Sequence, residues 1–199
     1  MSDHEHEHPH DGHDHQHLQP ATGSADASVR SARPSDAPAV GVVQSQVWRL
    51  AYRGVVPDET LARFEPLAFS RAWRAALEGT PPAGHQLLVG CAGPQVVGYV
   101  SVGPCADPDA TEGDAEVLTL GVHPDARRQG HGSRLLNAAV DVLRERGADT
   151  VYIWLPASDE ATRKFLSDSG FGPDSAYRDS VVGPSGETVR EIRMVGRIS

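Results

Sequence analysis

The chain has 199 residues, enough for one domain of ordinary size, and carries 27 acidic against 18 basic side chains, a formal charge of −9. Six of the acids lie in residues 1–26, which hold no Lys or Arg, so the remainder stands at 21 against 18 and lacks the basic stripe that nucleic acid requires. No apolar run nears the roughly 20 residues of a membrane span, and Cys91 and Cys105, without a Cys-x-x-Cys pair, suit reduced thiols, so a cytoplasmic protein with no membrane partner and no redox chemistry is expected.

Residues 1–26 form a polar tail whose first 17 positions interleave His4, His6, His8, His10, His13, His15 and His17 with acids. That composition cannot bury enough apolar surface to offset ordering entropy, and predicts disorder. Neutral imidazoles spaced by two and three, with carboxylates between them, chelate zinc, nickel or copper, so a divalent metal is an expected partner of the tail.

The folded domain is expected over 27–199. Residues 27–32 read as a first strand. Ser35 and Asp36 offer capping oxygens ahead of Val40, Val43, Val47 and Leu50, whose spacing is one face of a helix reaching about Arg53. Shorter helical stretches follow at 58–64 and 67–78, the latter ended by Gly79 and Pro81-Pro82. Residues 86–91 and 96–103 are β-rich runs joined by the turn Ala92-Gly93-Pro94-Gln95, and 116–122 reads as a buried strand after a polar loop. From Ser133, the positions Leu135, Leu136, Ala139, Val140 and Leu143 mark an amphipathic helix stopped by Gly147. A strand at 151–155, a helix from Ser158 or Asp159 to about Gly170, and a hairpin with arms 177–182 and 188–197 complete the order. The class is α/β, with a mixed, mostly antiparallel central sheet flanked by helices.

Arg127-Arg128-Gln129-Gly130-His131-Gly132 lies between the strand ending at Val122 and the helix holding Leu135. A helix start exposes unpaired N–H donors and the positive end of the macrodipole, and glycines let an anion approach the backbone. A phosphate-bearing ligand is therefore expected. The loop lacks the Lys-Ser/Thr of a Walker site and the third glycine of a dinucleotide fingerprint.

With these residues the chain resembles the GNAT family of acetyl-coenzyme A-dependent N-acyltransferases, whose Gln/Arg-x-x-Gly-x-Gly/Ala signature is matched by Arg127-x-x-Gly130-x-Gly132. The likeness runs from Val29-Arg30, through Trp48 with Ala51-Tyr52-Arg53-Gly54, to Gly170-Phe171. It implies acetyl-CoA as cosubstrate, with Arg128, Gln129, Gly130, His131 and Gly132 supplying backbone donors to its pyrophosphate and Arg127 adding charge. The backbone at Leu120 and Val122 would run beside the pantetheine arm and face the oxyanion, and Asp159 stands where an asparagine contacting the coenzyme is common. Glu116 stands where a number of members place the carboxylate that deprotonates the incoming ammonium; its other reading is a strand-end glutamate in solvent or an ion pair. Glu112 and Asp114 are the next candidates. The family's usual acid, a tyrosine four residues before the Gly of Gly-Phe, is Leu166 here, and Tyr177 is the substitute on offer.

The implied activity is acetyl transfer to a primary amine, of a small molecule or of a peptide or protein N-terminus, by direct attack in a ternary complex without a catalytic metal. Two rivals stay open: an acyl-CoA-binding sensor whose catalytic acid is lost, and a metal-binding protein acting through the tail. Asp107, Asp109, Glu112 and Asp114 in one loop favour a cationic acceptor. Trp48, Tyr52 and Trp73 read as core aromatics, and His131 as a solvent-exposed loop histidine. Nothing in the sequence specifies an oligomeric state.

Overall fold

The computed structural model describes residues 27–182 and 186–198; the tail with its seven histidines and the turn residues 183–185 lie outside the described residues. The strands are β1 (Ala27–Ser31), β2 (Gln86–Ala92), β3 (Gln95–Pro104), β4 (Asp114–Val122), β5 (Thr150–Pro156), β6 (Gly172–Val181) and β7 (Thr188–Arg197). They form one sheet in the order β1-β2-β3-β4-β5-β7-β6, antiparallel except for the β4–β5 pair. That parallel pair needs a crossover, and helix α4 (His131–Glu145) supplies it.

The apolar stripe of α4 buries Leu135, Leu136, Ala139 and Leu143 on one sheet face, against Val100, Val102, Val117 and Val151, and α5 (Glu160–Asp168) adds Leu166 to the same core. The opposite face is covered by α1 (Ala37–Ala51), α2 (Asp58–Ala62) and α3 (Pro66–Glu78). There Val40 and Val43 pack on Leu87, Val89 and Tyr99. Trp48 meets Tyr52, Phe64 and Phe69 edge-on at 5.3–5.7 Å between ring centroids, and Trp73 donates to Gln44, so these aromatics are indeed core.

Three local expectations change. Asp36 does not cap α1; it sits in a 3-10 turn, and its carboxylate accepts from Arg30 at 2.7 and 2.9 Å and from the Arg33 N–H, tying β1 to the helix start. β6 begins at Gly172 rather than near Tyr177, because a bulge between Pro173 and Tyr177, with Ser175 at φ 72°, breaks the alternation that marks a strand in sequence. Helix α4 begins at His131, two residues earlier than its apolar periodicity shows.

The feature that opens the site is a second bulge. Ser101 pairs with Thr119 and Val102 with Val117, so β4 carries Leu118 as an extra residue. A bulge bends its strand, and here the parallel ladder stops at Val117–Ile153 although β4 continues to Val122 and β5 to Pro156. Beyond Val117 the β5-side edge of β4 has no partner strand among the described residues.

Candidate functional site

The open edge of β4 borders a cleft of about 500 Å³. Its walls are Val47, Leu50 and Ala51 of α1, Leu120–Val122 of β4, Arg127, Arg128, Gly130, Gly132 and Ser133 of the glycine loop, and Asp159, Thr162 and Phe165 at α5. Gly130 caps α4 at φ 81° and Arg128 stands at φ 60°, left-handed positions that turn successive N–H groups to one side. The N–H groups of Arg128 through Ser133 have no acceptor among the described residues. Arg127 Nε donates to the Val122 carbonyl at 3.3 Å and Arg134 to the Gln129 carbonyl at 3.1 Å, so the loop is braced from the strand and from the helix. The cleft thus joins a row of anion donors to a strand edge and apolar walls, which fits a ligand with phosphate at one end and an uncharged linear arm.

Not every candidate joins it. The Gln129 side chain bonds the Asp125 carbonyl, away from the cleft. His131 is buried as the first residue of α4, not exposed in a loop. Asp159 borders the cleft, but its carboxylate accepts from the Thr162 N–H at 3.0 Å and hydroxyl at 2.7 Å as the cap of α5. On α5 it is Phe165 that faces the cleft, while Leu166 is fully buried, so neither position offers an acid. Tyr177 is 65% exposed beneath the Arg190 guanidinium and pairs with Ile192 on the α4–α5 face, opposite Glu116; the structure does not bring it to the cleft.

Cross-strand partners share a face, which puts Glu116, Tyr152, Trp154, Arg193, Glu191 and Arg178 together on the face turned away from α4. Arg193, 7% exposed, donates to Asp174 at 2.7 Å, Asp107 at 2.9 Å and Asp109 at 2.6 and 2.8 Å, and lies over the Tyr152 ring. Arg178 stacks on Trp154 at 4.3 Å and bonds Glu191 at 2.7 Å. The acidic loop is therefore partly engaged internally: Asp107 and Asp109 are ion-paired to Arg193, whose single charge Asp174 shares, and Asp114 caps Thr111. Glu112 is exposed.

Glu116 differs from all of these. It is 6% exposed, yet it has no hydrogen bond or ion pair among the described residues. Burial pushes its carboxyl up to about 6; Arg178 opposes that shift, while Asp107 and Glu191 add to it. Arg178, Glu191 and Trp154 escaped sequence reasoning because only strand register brings them to Glu116; the period-two charges Glu191 and Arg193 were the available signal.

A model of the Acetyltransferase (GNAT) family matches residues 47–171. Mycothiol acetyltransferase of Beutenbergia cavernae is 41% identical over 70 residues, 35% of this chain and 23% of that protein, so the chain spans under a quarter of that relative. A Mycobacterium tuberculosis protein named Probable N-acetyltransferase is 26% identical over 149 residues, covering 73% of this chain and 80% of its own. The PaiA N-acetyltransferase of Thermoplasma acidophilum, solved in complex with coenzyme A, has a TM-score of 0.66 at 14% identity over 86% of this chain and 98% of that one. The ribosomal-protein-S18-alanine N-acetyltransferase of Escherichia coli gives 0.60 at 18% identity over 87% and 94%. The solved structures share the fold, the family model covers more than half of the sequence, and the chain belongs to the acetyltransferase (GNAT) family.

Proposed function

We propose that the protein is an N-acetyltransferase that moves the acetyl group of acetyl-CoA to a primary amine by direct attack within a ternary complex, with Glu116 as general base. The observation that carries this reading is Glu116 itself, a residue only 6% exposed whose carboxylate has no hydrogen bond or ion pair among the described residues and keeps its oxygens open to solvent, on the strand whose open edge borders the cleft. Acetyl-CoA supplies a thioester carbonyl as the electrophile. The N–H groups of Arg128 through Ser133 hold the pyrophosphate, Arg127 and Arg128 add charge, and the β4 edge at Leu120–Val122 holds the pantetheine arm and offers an N–H where negative charge develops on oxygen. Glu116 takes the ammonium proton, since an amine must be neutral to attack. With Phe165 and Leu166 at the expected acid position, water protonates the departing thiolate, whose thiol has an ordinary pKa near 8.5. The steps are carried by protein groups and water, and the proposal includes no catalytic metal. The names of the relatives favour two acceptor classes, a small-molecule amine and an N-terminal alanine amine.

The missing acid favours one rival, an acyl-CoA-binding sensor. It predicts that acetyl-CoA binds, by calorimetry, and that no thiol is released with spermidine, glucosamine, free amino acids or an alanyl peptide. The histidines of the tail add a separate proposal: deleting residues 1–26 removes zinc and nickel binding and leaves acetyl transfer intact.

Glu116→Gln is expected to lower kcat by about 10²- to 10⁴-fold with acetyl-CoA affinity unchanged. In the wild type, kcat/KM rises with pH through an inflection near the Glu116 value of about 6. Stability runs the other way. The folded chain holds this proton more tightly than the unfolded one, about 6 against 4.5, so the stabilisation from the protonated group is complete below 4.5 and lost as pH rises through about 6. The difference is roughly 2 kcal/mol. Glu116→Gln should therefore melt higher than wild type at pH 8, and the two melting temperatures should converge below pH 5.

A further inference from the structure

The row of residues that includes Glu116 crosses the sheet from Gly103 on β3 through Glu116 to Tyr152 on β5. On the other side of β3, Gln86 pairs with Val102, so the preceding residue, His85, is next in line with Gly103. Gly103 contributes no side chain, and the His85 imidazole has taken its place. A Cβ on Gly103 would stand 2.8 Å from both Cδ2 and Nε2 of the ring, with Leu118 Cδ1 at 3.2 Å. Nδ1 of His85 meets the Ala83 carbonyl at 3.2 Å; a carbonyl only accepts, so in the neutral ring Nδ1 carries the hydrogen and Nε2 presents its lone pair over Gly103. The ring's backbone is held from behind, where Arg146 at the end of α4 donates to the Gly84 carbonyl at 2.6 Å and to the Gln86 side chain.

We infer that His85 is the second member of a proton relay, taking from Glu116 the proton that Glu116 takes from the acceptor and passing it to solvent. This rests on the reading of Glu116 as base. Glu116 must shed its proton before the next turnover; its oxygens are open, and the half-buried His85 ring over Gly103 offers the proton a basic group between the Gly103–Glu116 row and bulk water. The proton moves from the ammonium to a Glu116 oxygen, then directly or through one water to Nε2, and from the imidazolium to solvent, leaving both groups as they began. The other ionisable groups around Glu116 do not serve. Arg178 of β6 is ion-paired to Glu191 of β7, and Arg193 of β7 to Asp107 of the β3–β4 loop. Burial pushes the Cys105 thiol up to about 11 and the Tyr52 phenol of α1 up to about 12, and holds the Tyr152 phenol of β5 above its ordinary value.

The test is a ¹³C NMR titration of the full chain labelled at Glu Cδ and His Cε1, with acetyl-transfer assays on the amine panel above. The Glu116 titration, near about 6 in the wild type, is expected to move in His85→Gln. Gly103→Ala keeps the histidine but puts a methyl group where its ring lies, and is expected to move it likewise. Both variants lose about 10- to 100-fold of kcat, toward the low end of general-base effects, with KM for acetyl-CoA unchanged, and added imidazole restores His85→Gln. Full activity of Glu116→Gln, or no turnover of any panel amine by the wild type, overturns the base and the relay together. An inactive Glu116→Gln beside a His85→Gln with wild-type kcat overturns the relay alone, as does a Glu116 titration unchanged by both His85→Gln and Gly103→Ala.

Discussion

Gly130→Asp is expected to weaken acetyl-CoA binding by at least about 100-fold, some 2.7 kcal/mol, while the protein stays folded. Gly130 caps α4 with its backbone at φ 81°. An aspartate there meets two opposing local effects. The left-handed backbone costs an L-residue about 1–2 kcal/mol, and a carboxylate at a helix N-cap recovers about 1 kcal/mol through the free N–H donors and the macrodipole. The added Cβ would stand 2.7 Å from Arg134 Nη1, the far end of a flexible side chain that can move aside. The donors that satisfy the new carboxylate are the ones assigned to the pyrophosphate, and the ligand also meets a fixed negative charge. Calorimetric titration with acetyl-CoA, paired with a thermal melt, checks both halves. Wild-type affinity in a folded variant would refute the pyrophosphate assignment.

Arg193→Met should destabilise the fold by about 3–5 kcal/mol, the range for breaking a buried ion pair from one side. The guanidinium gathers Asp107 and Asp109 from the β3–β4 loop and Asp174 from the β6 bulge, and its side chain is 8% exposed, against 10% for Asp107 and 21% for Asp174. Methionine fills much of the space over Tyr152, leaves the largely buried Asp174 without its cation and leaves Asp107 with only Arg178 at 3.8 Å and the Trp154 N–H at 3.0 Å; Asp109, 62% exposed, returns to solvent. Urea unfolding at pH 7.5 reads the effect as a lower midpoint at constant slope. Adding Asp107→Asn and Asp174→Asn to Arg193→Met should recover most of the loss, because the carboxylates are its cause. A single variant within 1 kcal/mol of wild type would show that the cluster is peripheral to stability.

Much of the fold is legible where one face of an element is apolar at its own period. Leu135, Leu136, Ala139 and Leu143 announce α4, and the glycine loop is readable because Gly130 and Gly132 fall between a strand and that helix. Legibility fails where long-range pairing decides. Four acids between Asp107 and Asp114 look like a free electrostatic lure, but two of them are ion-paired to a cation 84 to 86 residues away. The first half of β6 is hidden by Pro173 and Ser175. On α5, a step of one residue decides whether Phe165 or Leu166 faces the cleft, and only packing against the core sets that rotation. Glu116 could be nominated from its position, but its lack of a hydrogen-bond or ion-pair partner among the described residues depends on neighbours in β3, β5, β6 and β7.

The bulge at Leu118 lies between Glu116 and the open edge at Leu120–Val122, so the proposed proton acceptor and the proposed thioester seat share one central strand. The span between them is fixed by a few residues of backbone rather than by the meeting of two mobile parts. Loosening of the surrounding loops should then change how readily an acceptor enters and leave the chemical step untouched.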